Sequence, residues 1–231
     1  MNSPDNTPSS TDTVSSNSTV TLHHNRVELA LHHVRDATGD AHPLLLLHGL
    51  GEHTAAGVPD VVSSWEGDIW GLDFTGHGAS TLPVGGGYTA EILMGDADMA
   101  VDHVGTCTVV GRGLGGYIAL LIAGARPDVV HGAVIADGPG LTGGSTSPTS
   151  QAVVRLADAG RTPDPYALLE LGRDLRPADY ALDFVQMATS ASHLDEPLCV
   201  AAAFRPTWLD AVAGAPGVAQ VRLPEALDLY R

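Results

Sequence analysis

The residues with the strongest bearing on chemistry are a run of glycines, GRGLGG, from Gly111 to Gly116. A short β-branched run, Thr106 to Val110, precedes them, and a stretch with helical spacing, Tyr117 to Ala125, follows. This pattern predicts a strand, a sharp turn and a helix. In the motif G-x-S-x-G, such a turn lifts a nucleophilic serine above a sheet. Here the central position is Gly113, which has no side chain with which to attack a substrate.

The charge of the chain excludes several function classes. Its 231 residues include 27 acidic and 11 basic ones, for a formal net charge of −16, and every basic residue is arginine. Without lysine, neither Schiff-base chemistry nor a phosphate-binding P-loop lysine is available. An acidic chain without basic runs is a poor partner for nucleic acid or an anionic membrane. We expect neither partner, and we expect no cofactor and no metal.

The remaining composition indicates one cytoplasmic α/β domain. Residues 1–17 are polar and predict a disordered tail. No signal peptide and no apolar run of membrane-spanning length is found. Cys107 and Cys199 fall in separate predicted strands, so we expect buried free thiols and a reducing compartment.

Alternating apolar residues predict a β-hairpin over 18–35. The hairpin carries four histidines, which we expect to face solvent; a metal ion shared across the hairpin is the alternative. The four are His23, His24, His32 and His33.

Short apolar runs alternate with helical patterns through the rest of the chain, which predicts a parallel sheet. The predicted strands are 43–48, 68–73, 106–110, 132–137, 198–204 and 219–224, and the predicted helices are 53–65, 89–103, 115–126, 149–159, 164–173 and 177–190.

Three motifs occur in a familiar order. They are His48 to Gly51 (H-G-x-G), Asp73 to Ser80 (D-x-x-G-x-G-x-S) and the glycine-rich turn Gly111 to Gly116. With this spacing the chain resembles the α/β-hydrolase family, in its lipase, esterase and epoxide-hydrolase-like branch, over about residues 18–224. The resemblance implies a mostly parallel central sheet flanked by helices. Residues 18–140 and 193–231 would form the core and 141–192 a short helical cap, while the C-terminal helix is expected to be missing.

The glycine-rich turn also has a second interpretation. Gly111, Gly113 and Gly116 satisfy the dinucleotide-binding pattern G-x-G-x-x-G. A nucleotide fold places that pattern after its first strand, whereas here it follows the fifth. This is the weaker alternative.

The resemblance assigns roles that the residues here only partly fill. It places the nucleophile at Gly113, where relatives hold a side chain, so a serine there is expected to be tolerated. It places the oxyanion donors at the backbone N–H groups of Leu50 and Leu114. No histidine follows the last predicted strand, since the last one in the chain is His193. We therefore predict no catalytic residue.

The acid of the triad is also in doubt. After the seventh strand, where the family keeps an aspartate, the chain reads Arg205 to Trp208, and Asp210 comes late. Asp137, after the sixth strand, is where a minority of relatives keep the acid. A turn or capping role is the favoured interpretation of Asp137.

We therefore predict a non-catalytic pseudo-hydrolase that binds a small molecule or has a regulatory role. Its ligand, apolar or carbonyl-bearing, would occupy a pocket and vestigial oxyanion hole formed by Leu50, Gly113, Leu114 and Asp137. One alternative is an active hydrolase of esters or lactones with a non-standard constellation. Its candidate residues are Ser80, Ser145, Ser147, Ser150, His48 and His77. Another alternative is a structural partner in a homo- or hetero-oligomer, because a missing C-terminal helix would leave apolar surface that another chain could cover.

Overall fold

The computed structural model describes residues 18–144 and 161–231. The predicted tail at 1–17, the predicted helix at 149–159 and the candidates Ser145, Ser147 and Ser150 lie outside these ranges. Across the described residues the chain forms one sheet of eight strands with six α-helices. The strands are β1 Ser18–His24, β2 Val27–Arg35, β3 Leu44–Leu47, β4 Ile69–Leu72, β5 Cys107–Arg112, β6 Val130–Ala136, β7 Leu198–Val200 and β8 Val218–Ala219. The helices are α1 Ala90–Val104, α2 Leu114–Ala125, α3 Pro165–Leu171, α4 Ala178–Ala191, α5 Thr207–Ala213 and α6 Leu223–Leu229.

The sheet has the strand order β1-β2-β4-β3-β5-β6-β7-β8. The β1–β2 and β2–β4 pairs are antiparallel, and every other pair is parallel. The hairpin turns at Asn25, which adopts a positive φ of 57° as tight turns require. This confirms the expected architecture, a mostly parallel sheet flanked by helices, and it brings the carboxyl ends of β3, β5, β6 and β7 to one edge.

Two predicted features at the chain's connections are wrong. The predicted helix at 53–65 is a loop with a single 3₁₀ turn, Asp60–Val62, because Gly57 and Pro59 interrupt any helical run. The C-terminal helix expected to be missing is present as α6. The Arg222 N–H donates to the Glu225 side chain at 3.0 Å at its start, with Pro224 in its first turn.

The two faces of the sheet are covered unequally. Alternate strand residues such as Leu45, Val109 and Ile135 face a core that includes apolar residues of α1, α2, α4 and α5. Their neighbours Val110 and Val134 face a smaller core, which in the described chain is covered by the 3₁₀ turn and α6.

The helices after β6 divide between two roles. The predicted cap helix at 177–190 is α4, and it belongs to the main helix layer, since a Cβ added at Gly124 of α2 would meet the Phe184 backbone at 2.7 Å. The helix α3 instead approaches the edge where the strands end, with Leu168 beside Gly51. Among the described residues, no helix is both long and apolar enough to cross a bilayer.

Candidate functional site

The turn between β5 and α2 has the sharp backbone that the glycine pattern predicted. Gly113 has φ 60° and ψ −122°, a conformation that side chains rarely adopt. A Cβ added at Gly113 would lie 2.1 Å from the carbonyl oxygen of Pro139. The expectation that serine is tolerated here is therefore wrong for this backbone, because the segment at 138–139 would have to move.

The same Pro139 oxygen occupies the corner in which the resemblance places the oxyanion donors. The Leu50 N–H donates to it at 3.0 Å and the Leu114 N–H at 2.9 Å. Leu50, Gly113 and Leu114 are therefore brought together, but around a carbonyl of the chain itself. Two N–H donors converging on one oxygen is the geometry of an oxyanion hole, and here both donors are already bonded.

The segment that carries Pro139 is hydrogen-bonded to a buried arginine. Arg176, 3% exposed, donates from Nη1 to the Gly140 and Leu141 carbonyls, both at 2.6 Å. Its guanidinium lies 4.6 Å above the Tyr117 ring, a cation–π contact. The Trp208 Nε1–H donates to the same Leu141 carbonyl at 3.0 Å. Burial lowers the pKa of Arg176 to about 10, so it remains charged at neutral pH.

Asp137 is bonded to the loop after β7 and not to the other three predicted site residues. Its two carboxylate oxygens accept the N–H groups of Ala203 at 2.7 Å and Phe204 at 3.0 Å. These bonds tie the end of β6 to the loop after β7. Asp137 thus has a structural role, but it fixes a loop distant in sequence rather than the local turn or helix cap that the sequence favoured.

The two histidines considered as bases use both ring nitrogens on backbone groups. His48 Nδ1 lies 2.8 Å from the Gly49 carbonyl, and its Nε2 accepts from the Phe74 N–H at 3.1 Å. Burial, followed by the nearby His77, lowers the pKa of His48 to about 4. His77 contacts the Thr75 carbonyl at 3.1 Å and accepts the Gly51 N–H at 3.2 Å, and burial lowers its pKa as well. Both histidines are neutral at pH 7 and shape loops.

Ser80, the described candidate nucleophile, is equally committed to structure. It is 3% exposed, donates to the Asp73 carbonyl at 2.6 Å and accepts the Ala30 N–H at 2.9 Å. An unactivated serine needs a base within hydrogen-bond reach to become nucleophilic. The hydroxyl of Ser80 has backbone partners instead.

Three of the four hairpin histidines are half-buried and paired with aspartates, rather than simply facing solvent as expected. His24 lies 2.7 Å from Asp96, His32 lies 3.0 Å from Asp73, and His33 lies 3.0 Å from Asp68. These pairs join the hairpin to the sheet and to α1. Sequence reasoning missed them because each partner lies at least 35 positions away along the chain.

Asp73, the first residue of the D-x-x-G motif, is held by hydrogen bonds from three directions. It accepts the N–H groups of Thr54 at 2.7 Å and Ala79 at 2.8 Å besides contacting His32. Burial raises the pKa of this carboxyl, but the three hydrogen bonds outweigh it and bring the pKa to about 2. Asp73 is thus an anionic anchor for two loops.

A cavity of about 930 Å³ lies on the less covered face of the sheet. Of the four predicted pocket residues it is lined by Asp137 alone; Leu50, Gly113 and Leu114 are not part of its wall. Its floor is formed by the carboxyl ends of β3, β5, β6 and β7, at Leu46, Val110, Ala136 and Ala201. The cavity thus adjoins the corner, through Gly51, Arg112 and Asp137, but does not include the Leu50, Gly113 and Leu114 pocket expected beneath the cap.

Comparisons with known proteins point to one fold. No family model matches the chain. The chain is similar to sn-1-specific diacylglycerol lipase ABHD11 of Danio rerio, with 30% identity over 123 residues, which is 49% of this chain and 37% of that protein. The match thus spans little more than a third of that relative. The solved structure of Est1E from Butyrivibrio proteoclasticus with ferulic acid bound is similar with a TM-score of 0.57 and 15% identity, over 91% of this chain and 94% of that one.

Proposed function

We propose that this chain, which has the α/β-hydrolase fold, is a non-catalytic member of that fold whose role is to bind a small molecule. The fold positions a nucleophile, a base and an oxyanion hole at one edge of the sheet. In this chain the nucleophile position is Gly113, and the oxyanion donors are the N–H groups of Leu50 and Leu114.

One observation carries the proposal: the Pro139 carbonyl accepts the N–H groups of both Leu50 and Leu114. In a working site those two donors would be free to stabilise the oxygen of a reacting ester. Here a substrate oxygen would have to displace a carbonyl that Arg176 and Trp208 hold in place through its neighbours. Gly113 beside it supplies no attacking atom.

The remaining candidate groups support the same proposal. His48, His77 and Ser80 all have backbone partners, as described above. Asp137 holds the loop after β7 through two N–H groups. None of these described side chains is left to form a nucleophile–base pair.

We also propose a reducing, cytoplasmic setting for the protein. Cys107 and Cys199 are free and buried, and burial raises the pKa of both thiols. Buried thiols of this kind act as small apolar side chains, and a reducing compartment keeps them so.

The similarity to a diacylglycerol lipase favours a second candidate, an active hydrolase of neutral esters. Hydrolysis of p-nitrophenyl butyrate distinguishes the two. The non-catalytic proposal predicts turnover equal to the buffer blank, because loss of the nucleophile leaves only residual catalysis.

The matched control is Leu114→Pro, which deletes one corner N–H. Proline is tolerated at the first position of a helix, and circular dichroism checks folding. Turnover of about 1 s⁻¹ or more that disappears in this variant would contradict the proposal. Turnover that survives in the variant and elutes with the chain on gel filtration would also contradict the proposal, whereas turnover that elutes separately would come from a contaminating esterase.

A further inference from the structure

Within the described parts of the chain, the cavity on the less covered face exposes part of a parallel sheet that such folds normally bury. Parallel strands are apolar on both sides because helices cover both faces. Here the apolar side chains Leu46, Val110, Ala136 and Ala201 form an open floor at the ends of four neighbouring strands. Leu46 pairs in register with Val110, so the floor is continuous across β3 and β5.

The walls of this cavity come from the two elements that flank the floor. The loop from Gly51 to Val62 forms one side, and Leu223 at the start of α6 forms the other. The enclosed volume, about 930 Å³, is within the range of small-molecule sites, which are mostly apolar with a few polar groups. We define this cavity as the sheet groove.

The polar groups of the sheet groove gather at the strand ends. Arg112 follows Val110 on the same face of β5, and its Nη1 donates to Glu52 Oε1 at 2.6 Å. The other Glu52 oxygen accepts the Gly49 N–H at 3.0 Å. Asp137, the second acid of the wall, has both oxygens bonded to backbone N–H groups. The carboxylate oxygens of Glu52 and Asp137 therefore already accept hydrogen bonds. The half-exposed guanidinium of Arg112 has further N–H groups that can donate to a ligand.

The charges at this end decide which acceptor suits Arg112. Glu52 balances the guanidinium, and Asp137 adds one negative charge. A carboxylate placed here would meet two acids within a chain of net charge −16. A neutral carbonyl oxygen can accept from Arg112 without that repulsion.

We propose that the sheet groove is the ligand site of this protein, and that it takes a neutral, mostly apolar molecule with a carbonyl oxygen at one end. The carbonyl lies against Arg112 and the apolar body covers the strand floor. This assignment rests on and deepens the binding role proposed above, and it places the ligand in the sheet groove, beside the filled corner at Gly113 and outside it.

The proposal is tested by titrating the full chain with Nile red, a neutral apolar dye that carries a carbonyl. We expect saturable binding of one dye per chain. Filling the floor with Ala136→Phe, or with Ala201→Phe if the first variant does not fold, should weaken binding at least ~10-fold. The matched control is Ala191→Phe, at the exposed end of α4, which should leave the affinity unchanged.

Two competitors of equal chain length test the charge argument. Methyl undecyl ketone should displace the dye at a concentration ~10-fold lower than laurate, a carboxylate with the same undecyl chain. In Glu52→Gln, where Arg112 loses its balancing charge, the preference should shift towards laurate. A purely structural role of Glu52 would not change that ratio.

The outcomes separate this proposal from the one before it. No dye binding, equal binding in a folded floor variant and its control, or stronger displacement by laurate in the unmodified chain would each overturn the sheet groove as the ligand site. Ester turnover would overturn the non-catalytic proposal while leaving the dye result intact.

Discussion

At the scale of single residues, Gly113 and Pro139 share one space. A Cβ at Gly113 and the Pro139 oxygen would be 2.1 Å apart, so the absence of a side chain at the turn and the filled corner depend on each other. The sequence predicts that Gly113 cannot attack a substrate. It could not predict the occupant of the corner, because Pro139 is 25 positions or more from Leu114 and Leu50 and its role depends on the folded backbone.

Gly113→Ala should destabilise the protein more than an equivalent change elsewhere. Gly105 provides the comparison: it has φ 81° and ψ −155°, and an added Cβ there meets nothing within 4 Å. Backbone strain alone should cost about 1–3 kcal/mol in Gly105→Ala. The clash with Pro139 should add about 1–3 kcal/mol in Gly113→Ala. Urea unfolding measures the loss of stability in each variant. Equal losses in the two variants would contradict the clash, because they would show that the 138–139 segment moves aside at no cost.

His48 should make the stability depend on pH in a defined window. Its folded pKa of about 4 lies below the ordinary histidine value of 6.5, so between these pH values His48 is protonated in the unfolded chain and neutral in the folded chain. Stability is then full above about pH 6.5 and falls as the pH drops towards 4, by about 3 kcal/mol in total at 1.36 kcal/mol per pKa unit. Asp73, with a pKa of about 2, contributes only below this window.

The comparison for His48 is His48→Gln, which has polar atoms but does not titrate between these pH values. Urea unfolding at about pH 7.5 and about pH 5 should show a loss for the unmodified chain that exceeds the loss for the variant by about 2 kcal/mol. Equal losses would contradict the assignment of His48 as a buried neutral group.

At the scale of elements, the strand ends are held by contacts between neighbouring loops. Asp137 ties β6 to the loop after β7, and Arg176, which precedes α4, ties the 140–141 carbonyls to Tyr117 of α2. Hydrophobic periodicity predicted α1, α2, α3 and α4 with small boundary shifts. It fails over 53–65, where Gly57 and Pro59 interrupt the helical pattern. It also fails at α6, a helix of seven residues whose start is fixed by the Arg222–Glu225 contact rather than by apolar spacing.

Asp137→Ala should loosen the loop after β7. The variant loses two hydrogen bonds to a charged acceptor and leaves two N–H groups without that partner. The free energy of unfolding should fall by at most about 2–4 kcal/mol, because water can reach this exposed site and replace part of the lost bonding. Hydrogen exchange at Ala203 and Phe204 should quicken. Asp40→Ala, an exposed acid on another loop, is the control, and unchanged exchange at both amides in Asp137→Ala would rule out the tie.

At the scale of the whole molecule, the structure has one site that is filled by the chain itself and one that is open to a ligand. At the carboxyl edge of the sheet the Pro139 carbonyl fills the oxyanion corner. On the face opposite α1, α2, α4 and α5, the described residues leave the strand ends open to the sheet groove. The order of motifs could predict the sheet, but not this open face, which arises because the 51–62 connection forms little helix.

The central claim is that the oxyanion corner is closed by the Pro139 carbonyl, and hydrogen-bond couplings measured by NMR test it most directly. In a deuterated, ¹⁵N,¹³C-labelled sample, a long-range HNCO experiment should connect the amides of both Leu50 and Leu114 to the carbonyl carbon of Pro139, and both amides should exchange slowly. Adding an alkylphosphonate, which is tetrahedral and anionic without reacting with the protein, should leave both signals in place. Fast exchange of the two amides without these couplings, or signals that shift with the phosphonate, would contradict the account.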